Sequence, residues 1–258
     1  MTNLAANLSM MFNEVDFLDR FEVAAKAGFK GVEYLFPYDY SAEQIKDKLD
    51  KYNLTQVLFD FPAGDWDAGD RGCASFPDRV GEFQDGVGKA IEYAKVLECG
   101  RLTVLAGKAT SNVSAITMHN TLVDNMKFAS EAVAGSDITV LLEAINTIDI
   151  PEYSVFRTNQ SRAVVEATGA DNVKVQYDIY HMQIMEGDVT RTIDNNMDVI
   201  GHFQLADNPG RHEPGSGEIN YDFLLPHIDS LGYEGWIGCE YAPAGDTVSG
   251  LLWAAKYL

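Results

Sequence analysis

Positive charge is what this sequence has least of. Nineteen Lys and Arg stand against 39 Asp and Glu, a formal net charge of −20 over 258 residues. A field of that sign repels a polyanionic duplex, and the basic residues are dispersed without forming a stripe, so nucleic acid is excluded as an expected partner. The surplus acids fall mostly in helix-like segments and read as solvated faces. A high-salt habitat is the other reading of the same excess, and composition leaves the two open. Cysteine is scarce as well: Cys73, Cys99 and Cys239 are odd in number and scattered, without the spacing of a zinc site. That excludes a disulfide framework and points to buried free thiols in a reducing compartment, hence a cytoplasmic protein. No apolar run approaches the roughly 20 residues of a membrane span. Residues 1–6 lack the basic and apolar regions of a signal peptide. Also missing are a repeat of fixed period, a linker, and a Gly-rich phosphate fingerprint: after the first apolar run the chain reads Asn7-Leu8-Ser9-Met10-Met11.

What is present is alternation. Residues 4–8 read as a strand, and an amphipathic helix runs from Asn13–Asp16 to Ala27, stopped by Gly28. Residues 31–36 form a second strand carrying Glu33; Pro37 ends it, and Ser41 with Gln44 makes a capping box for a helix to about residue 52. A third strand covers residues 54–59, and residues 60–78, rich in Gly, Asp and Pro, are too long for a bare connector and read as a loop over one face. A long helix to about residue 99, a fourth strand at 101–106 and a helix over 111–134 follow. Four more strands end at Glu143, Asp178, Gln204 and Glu240, with helices expected at 159–168, 188–197, 221–231 and 248–258. Eight strands alternating with eight helices in 258 residues predict a (β/α)8 TIM barrel, one domain over 1–258. An open doubly wound sheet is the runner-up, disfavoured by the missing fingerprint.

The last four strands carry the chemistry. Each is a short apolar run that ends on an oxygen-bearing side chain, and the four ends recur about 25 to 36 residues apart, one βα unit each. A carboxylate closing a buried strand costs free energy unless a cation compensates it. In a barrel all strand C-termini point at one mouth, which brings Glu143, Asp178, Gln204 and Glu240 together. Three carboxylates and an amide oxygen are a hard ligand set suited to Mg²⁺ or Mn²⁺; of the five histidines none falls on these ends. A metal there can chelate an α-hydroxycarbonyl, with one glutamate removing a proton from carbon and the other returning it through an enediolate. The chemistry is that of an isomerase or epimerase. After Gln204 come Asp207 and a breaker-rich loop, Asn208-Pro209-Gly210 and Pro214-Gly215-Ser216-Gly217, carrying Arg211, His212 and Glu213.

The segments AANLSMMFNEV, FKGVEYLFPYDYS, VLLEAIN, VQYDIYHMQ, HFQLADNPGRHEPGSGEINY and GYEGWIGCEY resemble the hydroxypyruvate isomerase family of the xylose-isomerase-like TIM barrels, over residues 3–253. The resemblance implies that Glu143 and Glu240 are the acid/base pair and also metal ligands, that Asp178 and Gln204 complete the metal shell, and that His181 and Arg211 contact substrate. Related sugar 3-epimerases and inosose-processing enzymes carry a histidine where this chain has Gln204. The implied reaction is interconversion of hydroxypyruvate and tartronate semialdehyde, with isomerisation of 2-oxo-tetronate by the same proton shift alongside it. Ketose 3-epimerisation is a further enzyme reading. A DNA repair endonuclease is opposed by the net charge, and a non-catalytic metal-binding barrel is the remaining alternative. The implied partner is a small oxo-acid; a homo-oligomer is among the options.

Several residues carry two readings. Arg211 offers a fork to a substrate carboxylate, or a salt bridge with Glu213 or Glu218 that fixes its loop. His181 meets substrate or supports a metal ligand. Glu33 reads as an anchor of the inner wall, His202 as a satisfied core histidine, and Asn7 as a weak candidate. Tyr34, Phe36, Tyr38 and Tyr40 shield the mouth or pack in the core.

Overall fold

The computed structural model describes residues 2–258. Met1, the first residue of the segment read as lacking a signal peptide, lies outside them. Short runs buried on both faces form the strands, as parallel strands covered by helices must be. They are β1 (Asn3–Asn7), β2 (Gly31–Tyr34), β3 (Thr55–Asp60), β4 (Arg101–Val104), β5 (Thr139–Glu143), β6 (Val173–Asp178), β7 (Ile200–Leu205) and β8 (Trp236–Cys239). Each pairs in parallel with the next, and β8 pairs back onto β1 with Leu4 opposite Ile237 and Ala6 opposite Cys239, which closes the barrel. The closed single-domain barrel is the expected one. Around it lie α1 (Phe17–Lys26), α2 (Ala42–Tyr52), α3 (Val80–Leu97), α4 (Ala115–Ala132), α5 (Thr158–Thr168), α6 (Ile179–Met185), α7 (Val189–Asn196) and α8 (Tyr221–Ser230). Among the described residues, no helix is long and apolar enough to cross a membrane.

Local signals act as read. Ser41 Oγ accepts from the Gln44 N–H at 3.2 Å, and Gln44 Oε1 accepts from the Ser41 N–H at 3.0 Å, so the capping box starts α2. Two expectations are corrected. The final helix expected over 248–258 is a 3₁₀ segment, Ser249–Ala254. Its buried side chains, Leu251 and Ala254, are three apart, the period of a 3₁₀ turn, and Gly250 weakens any α-helix there. The helix α6 was not foreseen. It starts because Asp178 Oδ1 accepts the Tyr180 N–H at 2.8 Å, and it is parted from α7 by Gly187 and Asp188, both at positive φ.

The barrel interior is layered. Ala5, Val57, Leu58 and Leu141 pack with Trp236 as a small apolar plug, separate from the large cluster between strands and helices. Above it lies a polar network centred on Glu33, which is fully buried. Its carboxylate accepts from Asn7 Nδ2 at 3.1 Å, Gln204 Nε2 at 2.8 Å and His202 Nε2 at 2.8 Å. Gly238 makes room for it: a Cβ there would meet the Glu33 carboxylate at 2.1–2.4 Å. Glu33 and His202 therefore have the inner-wall and core roles read for them. Tyr34 is buried against Phe17, Phe21 and Phe59, Tyr40 stacks on Phe17, and Phe36 and Tyr38 reach the mouth.

Candidate metal-binding active site

The register of the last strands sets the site. Asp178 lies opposite Gln204, and Gln204 opposite Gly238, so β6, β7 and β8 finish at one level, with Glu143 closing β5 beside Gln176. Glu143, Asp178, His181 and Glu240 each offer one ligand atom, and these atoms all lie within 4.8 Å of one another. All four residues are buried. Glu143, His181 and Glu240 line a cavity of about 710 Å³ together with Arg211 and Asp60. The loop after β3 roofs this cavity with Pro62–Trp66, as expected of a loop over one face. Trp66 packs edge-on against Phe36 at 5.0 Å, under the Arg71 guanidinium at 4.0 Å.

Arg211 is the cation in contact with these acids. Its residue has φ +55°, a left-handed conformation uncommon for a long side chain and one that recurs where function demands it. Its Nη2 donates to Glu240 Oε2 and lies 3.6 Å from Asp178 Oδ2. The loop-fixing alternative does not hold: Glu218 accepts instead from Gln183 and Asn208, and Glu213 from the Ala244 N–H. The loop is held by Asp207, fully buried, which accepts backbone N–H groups of Asn208, Gly215, Gly217 and Ile219 at 2.9–3.0 Å.

One arginine does not neutralise this much buried acid. Desolvation pushes Glu143 well above the usual carboxylate range, and the nearby Glu240, Asp178 and Asp60 push it further. Burial raises Glu240 to about 8 and Asp178 to about 6 against the pull of Arg211. Asp60 is also driven well up by burial, then by Glu240 and Glu33. His181 is driven well down by burial and by Arg211. Burial opposes the charge on Arg211, but Glu240, Asp178 and Glu143 together hold it. Glu143 Oε1 and Asp178 Oδ2 are buried without a hydrogen-bond partner. Two orphaned hard oxygens in an acidic pocket fit a divalent cation, and this Glu/Asp/His group could hold one.

Of the residues singled out from sequence, Glu143, Asp178, His181, Arg211 and Glu240 are brought together. Gln204, opposite Asp178 across the β6–β7 pair, is tied into the inner-wall network: its Oε1 accepts from Gln176 Nε2 at 2.7 Å while its Nε2 donates to Glu33. Sequence reasoning passed over Asp60, Gln176 and Lys89, which also line the cavity, and Asn146, which bonds His181. Asp60 was findable, since it ends β3 as the other acids end theirs.

A family model described as the xylose isomerase-like TIM barrel matches residues 21–257. The chain is 48% identical to a hydroxypyruvate isomerase of Escherichia coli over 257 residues, 100% of both chains. It is 46% identical to a 2-oxo-tetronate isomerase of Cupriavidus necator, over 100% of this chain and 99% of that one. Among solved structures it resembles a Brucella melitensis protein described as an AP endonuclease of family 2, at TM-score 0.98 and 47% identity over 100% of this chain and 99% of the other. The fold, the acidic cluster at its mouth and full-length identity to named isomerases agree: the chain belongs to the hydroxypyruvate isomerase family of xylose isomerase-like TIM barrels, and it is an isomerase.

Proposed function

We propose that this chain interconverts hydroxypyruvate and tartronate semialdehyde by proton transfer between adjacent carbons, with Glu143 and Glu240 as the acid/base pair. The observation that carries the reading is two buried glutamates, at the ends of β5 and β8, lining one cavity, with Glu143 Oε1 and the neighbouring Asp178 Oδ2 left without a hydrogen-bond partner. One glutamate takes a proton from the hydroxyl-bearing carbon as the carbonyl becomes an enediolate. The other delivers a proton to the neighbouring carbon, while the hydroxyl proton moves between the two oxygens. Carboxyl groups displaced toward neutral values by burial suit both halves of such a transfer. Glu143, Asp178 and Glu240 would hold Mg²⁺ or Mn²⁺, and the Gln204 oxygen, which keeps a second lone pair beside its bond to Gln176, is the fourth ligand proposed. When bound, the cation polarises the substrate carbonyl and offsets the negative charge that develops. Arg211 offers its fork to the substrate carboxylate.

The two named relatives divide between a three-carbon and a four-carbon acid. A cavity of about 710 Å³ admits either. Three buried free thiols support a reducing, cytoplasmic setting. An endonuclease reading is disfavoured by a net charge of −20 and by the acids that line the cavity. The test is a turnover screen of hydroxypyruvate, 2-oxo-tetronate and a neutral ketose with Mg²⁺, with Mn²⁺ and with a chelator. Cation-dependent turnover of an oxo-acid is expected. Turnover of the ketose alone, or none that responds to chelation, would overturn the reading.

A further inference from the structure

Asn146 lies three residues beyond Glu143 and is fully buried. Its Oδ1 accepts the backbone N–H groups of Ile148 at 3.0 Å and Asp149 at 2.8 Å. Backbone N–H groups can only donate, so the amide cannot be turned over without setting its NH₂ against two donors. Its Nδ2 therefore faces the other way and has two neighbours, Asp149 Oδ2 at 3.0 Å and His181 Nδ1 at 2.7 Å. Asp149 Oδ2 also accepts from the Tyr180 hydroxyl at 2.8 Å, which pins that arm. All four hydrogen-bonding positions of the amide are used.

With Nδ2 donating, His181 Nδ1 must accept. An N–H on Nδ1 would confront an N–H of Asn146 at 2.7 Å, which rules out both the other tautomer and the doubly protonated ring. The proton of the neutral ring then sits on Nε2. That atom lies 3.5 Å from Asp178 Oδ2 and 3.9 Å from Glu143 Oε1, the two buried carboxylate oxygens that have no hydrogen-bond partner.

We propose that Asn146 is a positioning residue that locks His181 with its proton on Nε2, so that His181 presents a hydrogen-bond donor to substrate oxygen and is not a ligand of the cation. A nitrogen that carries a proton has no lone pair in the ring plane to give a metal. The cluster within 4.8 Å thus divides by chemistry: three carboxylates to hold a cation, and one neutral N–H to polarise an oxygen. A neutral imidazole N–H can polarise a carbonyl without bringing a formal charge into the pocket. The substrate half of this proposal rests on the isomerase reading; the tautomer half does not.

The experiment reads the tautomer directly. Long-range ¹H–¹⁵N correlation on the Mg²⁺-loaded, ¹⁵N-labelled protein, with His181 assigned by comparison with His181→Gln, identifies which ring nitrogen is protonated. The proton is expected on Nε2. A proton on Nδ1, or on both nitrogens, overturns the proposal. Asn146→Asp replaces the donor at Nδ1 with an acceptor of the same size, so the tautomer is expected to reverse. kcat should then fall about 10²-fold, the scale for loss of one donor to a developing oxyanion, with a smaller change in KM. Because the tautomer is measured without turnover, a wrong substrate assignment leaves this result standing. The reverse also holds.

Discussion

At the scale of single residues, Glu143 and Glu240 are proposed to carry two different burdens, holding a cation and moving a proton. Glu143→Gln and Glu240→Gln keep size and lose the proton-transfer group, so each should lower kcat by about 10²- to 10⁴-fold. The melting curves of the two variants should keep their cooperative shape; a variant with near-native kcat would remove that glutamate from the mechanism. Arg211→Met tests substrate charge. Loss of a charge-assisted bond to a carboxylate should raise KM for an oxo-acid about 10- to 150-fold. Equal losses on a neutral ketose would mean that Arg211 serves Glu240 and Asp178 alone. Glu143, Asp178 and Glu240 were legible because each closes an apolar run, whereas the substrate roles of His181 and Arg211 came from the family resemblance. Asn146 was not legible, because its role depends on two backbone N–H groups and one ring nitrogen that only the folded β5 loop brings to it.

Elements deliver those residues at matched height, and β8 shows how narrowly. Gly238 faces the Glu33 carboxylate, which in turn holds Asn7, His202 and Gln204. Gly238→Ala should lower the denaturant midpoint by the equivalent of about 1–3 kcal/mol, the usual cost of overpacking, with little change in m. An unchanged midpoint would mean that Glu33 has room to move and that the network is looser than its distances indicate. Strand and helix order was readable from apolar runs and caps. The exceptions have separate causes: α6 begins at Asp178, whose capping role was masked by its reading as a ligand, and the last segment winds as 3₁₀ because tertiary burial selects Leu251 and Ala254. Gln204 was legible as a strand-end oxygen, but not as a link between Gln176 and Glu33, since sequence spacing says nothing about which neighbour an amide finds inside a barrel.

The molecule as a whole gathers acid where it most needs a cation, and its stability should report this. Burial lifts Asp178 from 3.8 to about 6 and Glu240 from 4.5 to about 8. In the unfolded chain these groups ionise at their ordinary values, so the folded, cation-free protein binds more protons across the interval. Its stability therefore falls as pH rises from about 5 to about 8. Groups shifted the other way, such as Asp70 beside Arg79, lose their contribution only below the ordinary carboxylate range and leave that window untouched. If Mg²⁺ is the cation, it binds the ionised carboxylates, and the rise in Tm that it causes should grow over the same window. Melting curves with Mg²⁺ and with chelator, taken across that range, check both slopes; a cation-free Tm that climbs with pH would contradict them.

The most direct test of the two-glutamate account is where the hydrogen on the product carbon comes from. Hydroxypyruvate turned over in D₂O with Mg²⁺ should give tartronate semialdehyde carrying deuterium at C2, because the proton is removed by one glutamate and returned by another in exchange with solvent. The exchange should vanish in Glu143→Gln and in Glu240→Gln. Product formed in D₂O with protium retained at C2 would mean direct transfer between the carbons, and the roles assigned to Glu143 and Glu240 would be wrong.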